Sequence, residues 1–382
     1  MTPLDAATLP SGIRSRFIHN GNGLNMHILE AGFEAPGRPM VLLLHGFPEL
    51  AFSWRHVMAP LAAAGFYVVA PDQRGYGRTT GQLVDYDGEL APYDMLNLTR
   101  DALALVRALG RETISAVVGH DFGASVAAYC ALIRPDVFTR MVLMSAPFEG
   151  SPAFPFNTDT SDIPAAAQPD IDADLAGLSR PRKHYQQYYS TRAANDDMCN
   201  YSDGIASFLR GYFHAKSADW SGNTPFPLNA WSAQDLAKMP TYYVMDLDAT
   251  MAETAATFMP SAAQISACSW MNEADLAFYA QEFGRTGFQG GLNWYRCRFD
   301  AQLVAGLCLY SDLTIDVPSC FIAGANDWGV HQRPGALDVM RTRACTNMSA
   351  THLVAHAGHW IQQEQPDAVV ELLHAFLKLD TP

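Results

Sequence analysis

Short apolar runs alternate with helix-like segments between residues 39 and 147, and this alternation constrains the fold more than any other feature of the sequence. Each run has the length of a strand and ends at turn residues, which is typical of strands buried on both faces. The runs lie at 39–47, 66–71, 113–120 and 138–147. The helix-like segments lie at 54–66, 98–109 and 122–134. Strands and helices in this order predict a mostly parallel sheet with helices on both faces.

Two further patterns extend this predicted sheet. Apolar-alternating segments at 16–20 and 24–32 flank the turn Gly21-Asn22-Gly23, which predicts an antiparallel hairpin. Near the end of the chain, strand-like runs return at 317–327 and 350–359. An amphipathic helix with Pro366 in its first turn follows them, as proline prefers that position.

The pattern changes in the middle of the chain. The stretch 148–174 is rich in Pro, Asp, Ser and Thr and predicts a long linker. The residues after it show mainly helical spacing, are dense in Tyr, Trp, Phe and Met, and contain no clear buried strand. We therefore predict an α/β core formed by residues 1–148 and 313–382, with residues 149–312 inserted as a helical cap.

Composition excludes several classes of protein. Of the 382 residues, 49% are hydrophobic and 17% charged, which suits a globular core rather than disorder. The net charge of -14 disfavours nucleic acid and anionic membranes as partners. We find no signal peptide and no run near the roughly 20 apolar residues of a membrane span. Seven scattered cysteines without a C-x-x-C pair predict reduced thiols, no metal site and a cytoplasmic location.

A glycine-framed corner, Gly119-His120-Asp121-Phe122-Gly123, joins a predicted buried strand to a predicted helix. A nucleophile between two glycines at such a corner is the nucleophile elbow of the α/β-hydrolase architecture. The glycines allow a sharp turn, and the N-terminus of the following helix favours an anion there. The alternative is that Asp121 only caps the helix, a position that aspartate favours.

Aspartate in this position changes the chemistry from acyl transfer to alkyl transfer. A carboxylate is already ionised at neutral pH and can displace a leaving group from saturated carbon. The product is an ester of Asp121, whose hydrolysis requires a general base and an oxyanion hole. The backbone N–H groups of Phe47, in the motif HGFPE, and of Phe122 are the predicted oxyanion donors.

The acid and base of a triad follow in the chain order of this architecture. Asp327 ends one late strand pattern, and His359 follows the last one. We predict that His359 activates water and that Asp327 orients it and stabilises the imidazolium. Glu149 is the alternative acid. His356 is the alternative base, although its place inside a strand pattern predicts a core residue.

The leaving group determines what else the site needs. A halide leaves as a stable anion, whereas an epoxide opens to an alkoxide and requires a proton donor such as tyrosine. The inserted segment offers Tyr185, Tyr188 and Tyr189 on a predicted helix, and Tyr295 just after a glycine-rich turn. Each of these tyrosines, taken alone, could equally be a packing residue.

Six features together resemble the soluble epoxide hydrolases over most of the chain: HGFPE, DQRGYG, GHDFGA, Asp327, GHW and LNWYR. The core motifs are shared with haloalkane and fluoroacetate dehalogenases, so only the cap motifs distinguish epoxide hydrolases from these enzymes. The resemblance implies that Tyr295, in N-W-Y-R, and Tyr185, in Y-Q-x-Y-[FY], hold and protonate the epoxide oxygen. Phe122 stands where the dehalogenases carry Trp or Arg.

Together these observations predict an α/β-hydrolase fold with an inserted cap and an epoxide hydrolase activity that needs no cofactor or metal. The substrate is expected to be a small apolar epoxide, and the protein a monomer or homodimer. An apolar slot is expected to be lined by Phe47, Pro48, Trp54, Phe122, Trp294, Trp328 and Trp360. A dehalogenase with the same nucleophile and a non-catalytic ligand-binding protein of the same fold are the alternatives.

Overall fold

The structure is a computed structural model that describes residues 1–154 and 170–378. Its main feature is an eight-stranded sheet of order β1-β2-β4-β3-β5-β6-β9-β10, beside a separate pair of short strands, β7 and β8. The strands of the described residues are β1 (Ile13–His19), β2 (Asn25–Ala31), β3 (Met40–Leu44), β4 (Tyr67–Pro71), β5 (Ala116–His120), β6 (Met141–Met144), β7 (Arg182–His184), β8 (Val244–Asp246), β9 (Ser319–Gly324) and β10 (Met348–Val354).

Helices cover the sheet and make up much of the described part of the segment between β6 and β9. Within the described residues they are α1 (Arg55–Ala63), α2 (Met95–Ala108), α3 (Phe122–Ile133), α4 (Ile171–Ala176), α5 (Tyr185–Tyr189), α6 (Ala193–Cys199), α7 (Gly204–Lys216), α8 (Ala233–Leu236), α9 (Met251–Ala256), α10 (Ala262–Ala267), α11 (Glu273–Thr286), α12 (Gln289–Cys297), α13 (Ala301–Leu307), α14 (Ala336–Val339), α15 (Ile361–Glu364) and α16 (Pro366–Lys378). On the sheet, α1 packs against α16, and α2 packs against α3.

The sheet confirms the predicted mostly parallel arrangement of strands. Strands β1 and β2 form the antiparallel hairpin, and β2 pairs antiparallel with β4. The remaining neighbours, from β4 through β3, β5, β6 and β9 to β10, are parallel. Every residue of β3, β4, β5 and β6 is buried, because helices and the cap leave these strands no exposed face. The carboxyl ends of the parallel strands therefore meet at one edge, where ligands bind in sheets of this kind.

The structure corrects two details of the sequence-based prediction. The insertion contains a two-stranded antiparallel pair, β7 and β8, whose strands of three residues are too short for a periodic signal. His356 is exposed at a turn with a φ of 57°, because β10 already ends at Val354; it is not a core residue. The predicted linker over 148–174 lies partly outside the described residues.

A further correction concerns the glycines before Tyr295, which lie inside α12 rather than in a turn. A Cβ on Gly290 would overlap the carbonyl of Gly75, and one on Gly291 would lie 2.7 Å from Cδ2 of Phe47. The indole of Trp294 donates a hydrogen bond of 3.0 Å to the carbonyl of Arg74. The glycine pair thus allows α12 to approach the D-Q-R-G-Y-G turn of the core closely.

Candidate active site

The turn between β5 and α3 holds Asp121 in a strained backbone conformation, with φ 52° and ψ -120°. Its glycine neighbours have no room for side chains. A Cβ on Gly119 would overlap the backbone of Gly123, and one on Gly123 would lie 2.5 Å from the carbonyl oxygen of His45. The Asp121 side chain makes no capping hydrogen bond within the described helix α3, so the capping alternative does not account for it. Strain of this kind occurs at functional sites.

The two oxygens of the Asp121 carboxylate have different surroundings. Oδ1 accepts a hydrogen bond of 3.0 Å from the backbone N–H of Phe47, one of the two predicted oxyanion donors. Oδ2 lies 3.3 Å from Nε2 of His359. Phe122, the second predicted donor, is the first residue of α3, where a backbone N–H has no acceptor within the helix. One carboxylate oxygen is therefore held by a backbone N–H, while the other faces His359.

His359 and Asp327 come together behind Asp121. Nδ1 of His359 lies 3.1 Å from each oxygen of Asp327, and Oδ1 of Asp327 also accepts the N–H of Gly329 at 2.7 Å. Nε2 of His359 is buried and has no aligned hydrogen-bond partner among the described residues, despite its contact with Asp121. Glu149, the alternative acid, instead pairs with Arg333 at 2.9 Å. The structure thus brings together Asp121, His359 and Asp327.

A second buried pair, not predicted from the sequence, lies under this arrangement. Nδ1 of His120 lies 2.6 Å from Oε2 of Glu49, and both side chains are fully buried. Nε2 of His120 lies 2.7 Å from the carbonyl oxygen of His359. Ser145 donates to the same carbonyl at 3.2 Å. The pair restrains the backbone of His359, and the signal for it is the glutamate that ends HGFPE, an acid in an otherwise buried loop.

The charges of Asp121, His359 and Asp327 strongly affect one another's pKa values. Burial disfavours an ionised Asp121, but the contact and charge of His359 and the charge of Lys216 outweigh it and hold the pKa of Asp121 well below its usual range. Burial lowers the pKa of His359, but the charge of Asp327 and the contact with Asp121 raise it to about 9. The pKa of Asp327 is lowered, since the charge of His359 overcomes burial. His359 is therefore protonated at neutral pH while both carboxylates are ionised.

Tyr185 and Tyr295 lie on the wall of the same cavity of about 510 Å³ as Asp121. Their ring centroids are 6.1 Å apart. The Tyr185 hydroxyl donates to Oε1 of Gln332 at 3.2 Å and accepts from Nε2 of Gln186 at 3.0 Å. Burial and the charge of Asp121 raise the pKa of both tyrosines, so each keeps its proton at neutral pH. Both side chains therefore border the cavity in their protonated form.

The cavity wall differs from the predicted apolar slot. Of the seven predicted substrate-binding residues, Phe122 lies on the wall formed by the described residues. Trp294 faces an adjacent cavity of about 250 Å³ that also includes Phe122. The others are buried in the packing around the site: Phe47, Pro48, Trp54, Trp328 and Trp360. Polar side chains share the main wall, namely Glu149, Gln186, Gln187, Arg298, Gln332 and Arg333, so the cavity is more polar than the aromatic composition of the insertion predicted.

Lys216, at the end of α7, is a buried cation that sequence reasoning missed. Its ammonium nitrogen lies 4.6 to 5.9 Å from the ring centroids of Tyr185, Tyr212, Tyr242, Tyr243 and Trp360. No hydrogen bond or ion pair joins the ammonium to residues 1–154 or 170–378. Burial lowers the pKa of Lys216 to about 8, although the charges of Asp121, Asp327 and Glu49 oppose this. No local pattern could have found it, because its partners come from four separate segments.

Two further features concern residues 1–154 and 170–378, the part of the chain that the structure describes. In these ranges, no group of three or more His, Cys, Asp or Glu side chains is arranged to hold a metal ion. Among the helices of those ranges, none is both long enough and apolar enough to cross a membrane.

The sheet, the strained aspartate corner and the later Asp and His together define a hydrolase of the α/β-hydrolase fold. A family model described as alpha/beta hydrolase fold matches residues 39–182. Epoxide hydrolase A of Mycobacterium tuberculosis is 33% identical over 360 residues, which cover 93% of this chain and 95% of that protein. Epoxide hydrolase 3 of Siraitia grosvenorii is 29% identical over 374 residues, 94% of this chain and 96% of that protein.

Solved structures agree with this assignment. An epoxide hydrolase from an endophytic Streptomyces superposes with a TM-score of 0.75 and 31% identity, covering 96% of each chain. Potato (Solanum tuberosum) epoxide hydrolase I superposes with a TM-score of 0.71 and 26% identity, covering 96% of this chain and 99% of that one. The chain belongs to the epoxide hydrolase family of the α/β-hydrolase fold.

Proposed function

We propose that this protein hydrolyses epoxides to vicinal diols through an alkyl ester formed on Asp121. The observation that carries the proposal is the position of the Asp121 carboxylate. One oxygen is held by the N–H of Phe47, the other faces His359, and the carboxylate shares its cavity with Tyr185 and Tyr295. A nucleophile, a base and two proton donors are the groups that a two-step epoxide opening requires.

In the first step, Oδ2 of Asp121 attacks an epoxide carbon. Oδ2 is the attacking atom because Oδ1 is occupied by the hydrogen bond from Phe47. As the Oδ2–C bond forms, the C–O bond of the epoxide breaks, and Tyr185 or Tyr295 transfers its proton to the departing oxygen. Membership in the epoxide hydrolase family, with Phe122 rather than Trp or Arg after the nucleophile, supports this reaction over dehalogenation.

In the second step, water attacks Cγ of the esterified Asp121. Oδ1, now the carbonyl oxygen, already accepts the N–H of Phe47 and gains the N–H of Phe122 as negative charge develops. His359 takes the proton of the water through Nε2, while Asp327 holds Nδ1 and stabilises the imidazolium. The Cγ–Oδ2 bond then breaks, and the new carboxyl group of Asp121 gives its proton to Oδ2, so the diol leaves with Oδ2 as one of its hydroxyl oxygens. His359 keeps the proton of the water, and both residues are then in the protonation states of the free protein.

The ester switches His359 from acid to base. In the free protein two ionised carboxylates face the imidazole and raise its pKa to about 9. Alkylation removes the charge of Asp121, so the pKa of His359 falls and the neutral imidazole becomes accessible at lower pH. The proton that the imidazolium loses restores the tyrosine that protonated the epoxide oxygen in the first step, so His359 is a free base once the ester has formed.

We place the substrate between an α/β core of residues 1–148 and 313–382 and a helical cap of residues 149–312. This division is supported by the cavity, to which Asp121 and Phe122 contribute from the core and Tyr185 and Tyr295 from the insertion. The substrate is a small epoxide whose ring oxygen points to the two tyrosines.

The proposal is tested by trapping the ester in the variant His359→Gln. The variant is incubated with a panel of epoxides and with haloalkanes, digested and analysed by mass spectrometry. We expect an epoxide-derived mass on the peptide that contains Asp121, since ester formation survives while hydrolysis fails. The double variant His359→Gln/Asp121→Asn is the control and should remain unmodified. Adducts on other peptides, or none across the panel, would overturn the proposal, and an adduct formed only from haloalkanes would establish a dehalogenase.

A further inference from the structure

One carboxylate that neither step uses binds the peptide groups on both sides of His359. Oε2 of Glu364 accepts the N–H of Gly358 at 2.9 Å, and Oε1 accepts the N–H of Trp360 at 2.9 Å. Glu364 is the last residue of α15, the short helix that follows the catalytic loop. Its side chain therefore turns back onto the loop that carries His359.

The same carboxylate also holds the cap. Oε2 of Glu364 accepts a third hydrogen bond, of 2.8 Å, from the N–H of Ala218, just after α7. The N–H of His359 donates to the carbonyl of Lys216 at 2.8 Å, so loop and cap are joined twice. The two backbones touch, since a Cβ on Gly358 would lie only 2.6 Å from the carbonyl carbon of Ser217.

The ionised form of Glu364 is costly to keep in this place. Burial raises the pKa of Glu364 to about 7 in spite of three backbone donors, and the charge of Asp219 adds to the effect. An amide or a hydroxyl could cap a short helix without this cost. A carboxylate has two acceptor atoms and no hydrogen, and only such a group can accept all three N–H groups at once.

We propose that Glu364 is a positioning residue for the hydrolytic step, an inference that rests on the proposed function above. By binding the peptide groups on either side of His359 and the cap residue Ala218, it directs the imidazole at the ester carbonyl when the cap is seated. His120 and Ser145 hold the carbonyl of His359 independently of Glu364. Loss of Glu364 therefore releases only the two N–H groups on either side of His359 and the N–H of Ala218.

This role predicts an asymmetry between the two half-reactions. His359 acts as base only in hydrolysis, whereas the attack by Asp121 depends on the hydrogen bond from Phe47 and on the tyrosines. Loss of Glu364 should therefore slow the hydrolysis of the ester and leave its formation unchanged. A misplacement of about 1 Å costs on the order of 10²-fold in rate.

The experiment compares Glu364→Gln with the wild type in single-turnover reactions, using an epoxide that the wild type converts. Rapid quenching and mass spectrometry give the rate constants for formation and hydrolysis of the ester on Asp121. In Glu364→Gln an N–H₂ group faces backbone donors, so we expect hydrolysis to fall on the order of 10²-fold. The ester should accumulate, while its rate of formation stays at the wild-type value.

Asp235→Asn is the matched control, because Asp235 also accepts two backbone N–H groups in the cap, from Asn229 at 3.0 Å and Ala230 at 2.8 Å. It should lower the melting temperature without changing the ratio of the two rate constants. If Glu364→Gln does not fold, Glu364→Asp, which withdraws the carboxylate by one methylene, is expected to show the same accumulation.

Unchanged hydrolysis, or an equal loss in both rate constants, would overturn the role of Glu364. A wild type that never forms the ester would instead refute the proposed function itself.

Discussion

Nε2 of His359 lies 3.3 Å from Oδ2 of Asp121, close enough for strong charge coupling but without the alignment of a hydrogen bond. The arrangement leaves Nε2 free to accept a proton from water once Oδ2 has become an ester oxygen. It also explains why the free protein keeps Asp121 ionised, since the imidazolium is its nearest positive charge. In the proposed mechanism the two residues therefore act in sequence, the carboxylate first and the imidazole second.

Replacing Asp121 with Asn should abolish turnover while preserving the fold. Asparagine tolerates positive φ better than most residues, so the backbone at 52° is retained. An amide cannot displace the epoxide oxygen, and we expect kcat to fall by about 10⁴-fold or more. The measurement is diol formation, with a melting curve as the check on folding. Residual activity near the wild-type level in freshly prepared protein would contradict the assignment of the nucleophile.

Local signals made the centre of this site predictable from the sequence. The corner around Asp121 needs glycines because backbone atoms occupy the space that a Cβ would fill. This need appears in the sequence as the glycines at 119 and 123. Asp327 and His359 follow strand patterns, and parallel strands bring their carboxyl ends to one edge. Tyr185 and Tyr295 came from family resemblance, since helical spacing alone does not separate a packing tyrosine from one on a cavity wall.

The supporting residues could not be predicted, because long-range contacts create them. Glu364 and Ala218 are 146 residues apart, and His120 and His359 are 239 apart. The sequence around Lys216 is that of an ordinary helix, and the fold brings aromatic rings of other segments, such as those of Tyr185 and Tyr243, around its ammonium group. The substrate wall was also misjudged, because the tryptophans fill the packing behind the cavity and leave part of its surface to polar side chains.

The choice between Asp327 and Glu149 as the acid is open to a paired test. We expect Asp327→Asn to slow ester hydrolysis by roughly 10⁴-fold, since the amide no longer stabilises the imidazolium or its tautomer. Glu149→Gln should leave this rate near the wild-type value, because Glu149 pairs with Arg333 and not with His359. Single-turnover rates of ester hydrolysis decide between them, and the reverse order of effects would make Glu149 the acid.

Proton donation by the tyrosines is testable by removing one hydroxyl at a time. Tyr185→Phe and Tyr295→Phe should each slow ester formation by about 10²-fold, because the alkoxide is then protonated by one phenol alone. Tyr243→Phe is the matched control. Its ring lies 5.2 Å from that of Tyr185, but its buried hydroxyl has no hydrogen-bond partner among the described residues. A loss in Tyr243→Phe equal to the others would indicate packing rather than proton transfer.

The source of the diol oxygen separates an ester intermediate from direct attack by water. In a single turnover in ¹⁸O-labelled water with excess enzyme, the label should enter Asp121 and not the diol, because Oδ2 leaves with the product. Mass spectrometry of the peptide and of the diol measures both. Label in the diol from the first turnover would mean that water attacks the epoxide directly and that Asp121 acts only as a base.

We expect Lys216 to lower the pH at which His359 becomes a base. The ammonium lies 4.6 Å from the ring centroid of Tyr243, and its charge lowers the pKa of His359. In Lys216→Met, which keeps the length and apolar stem, the pKa of His359 should rise, so the neutral imidazole forms at higher pH. We expect the acid limb of the hydrolysis rate to move up by about one pH unit.

The difference should disappear by about pH 8. The pKa of Lys216 is about 8 in the free protein, and it falls further once the ester removes the charge of Asp121. Single-turnover hydrolysis measured from about pH 6 to pH 10 tests this prediction, with Lys216→Arg as the control that retains the charge. If the profiles of Lys216→Met and the wild type coincide below pH 8, the lysine has no electrostatic influence on the base. A shift to lower pH would show that the coupling has the opposite sign.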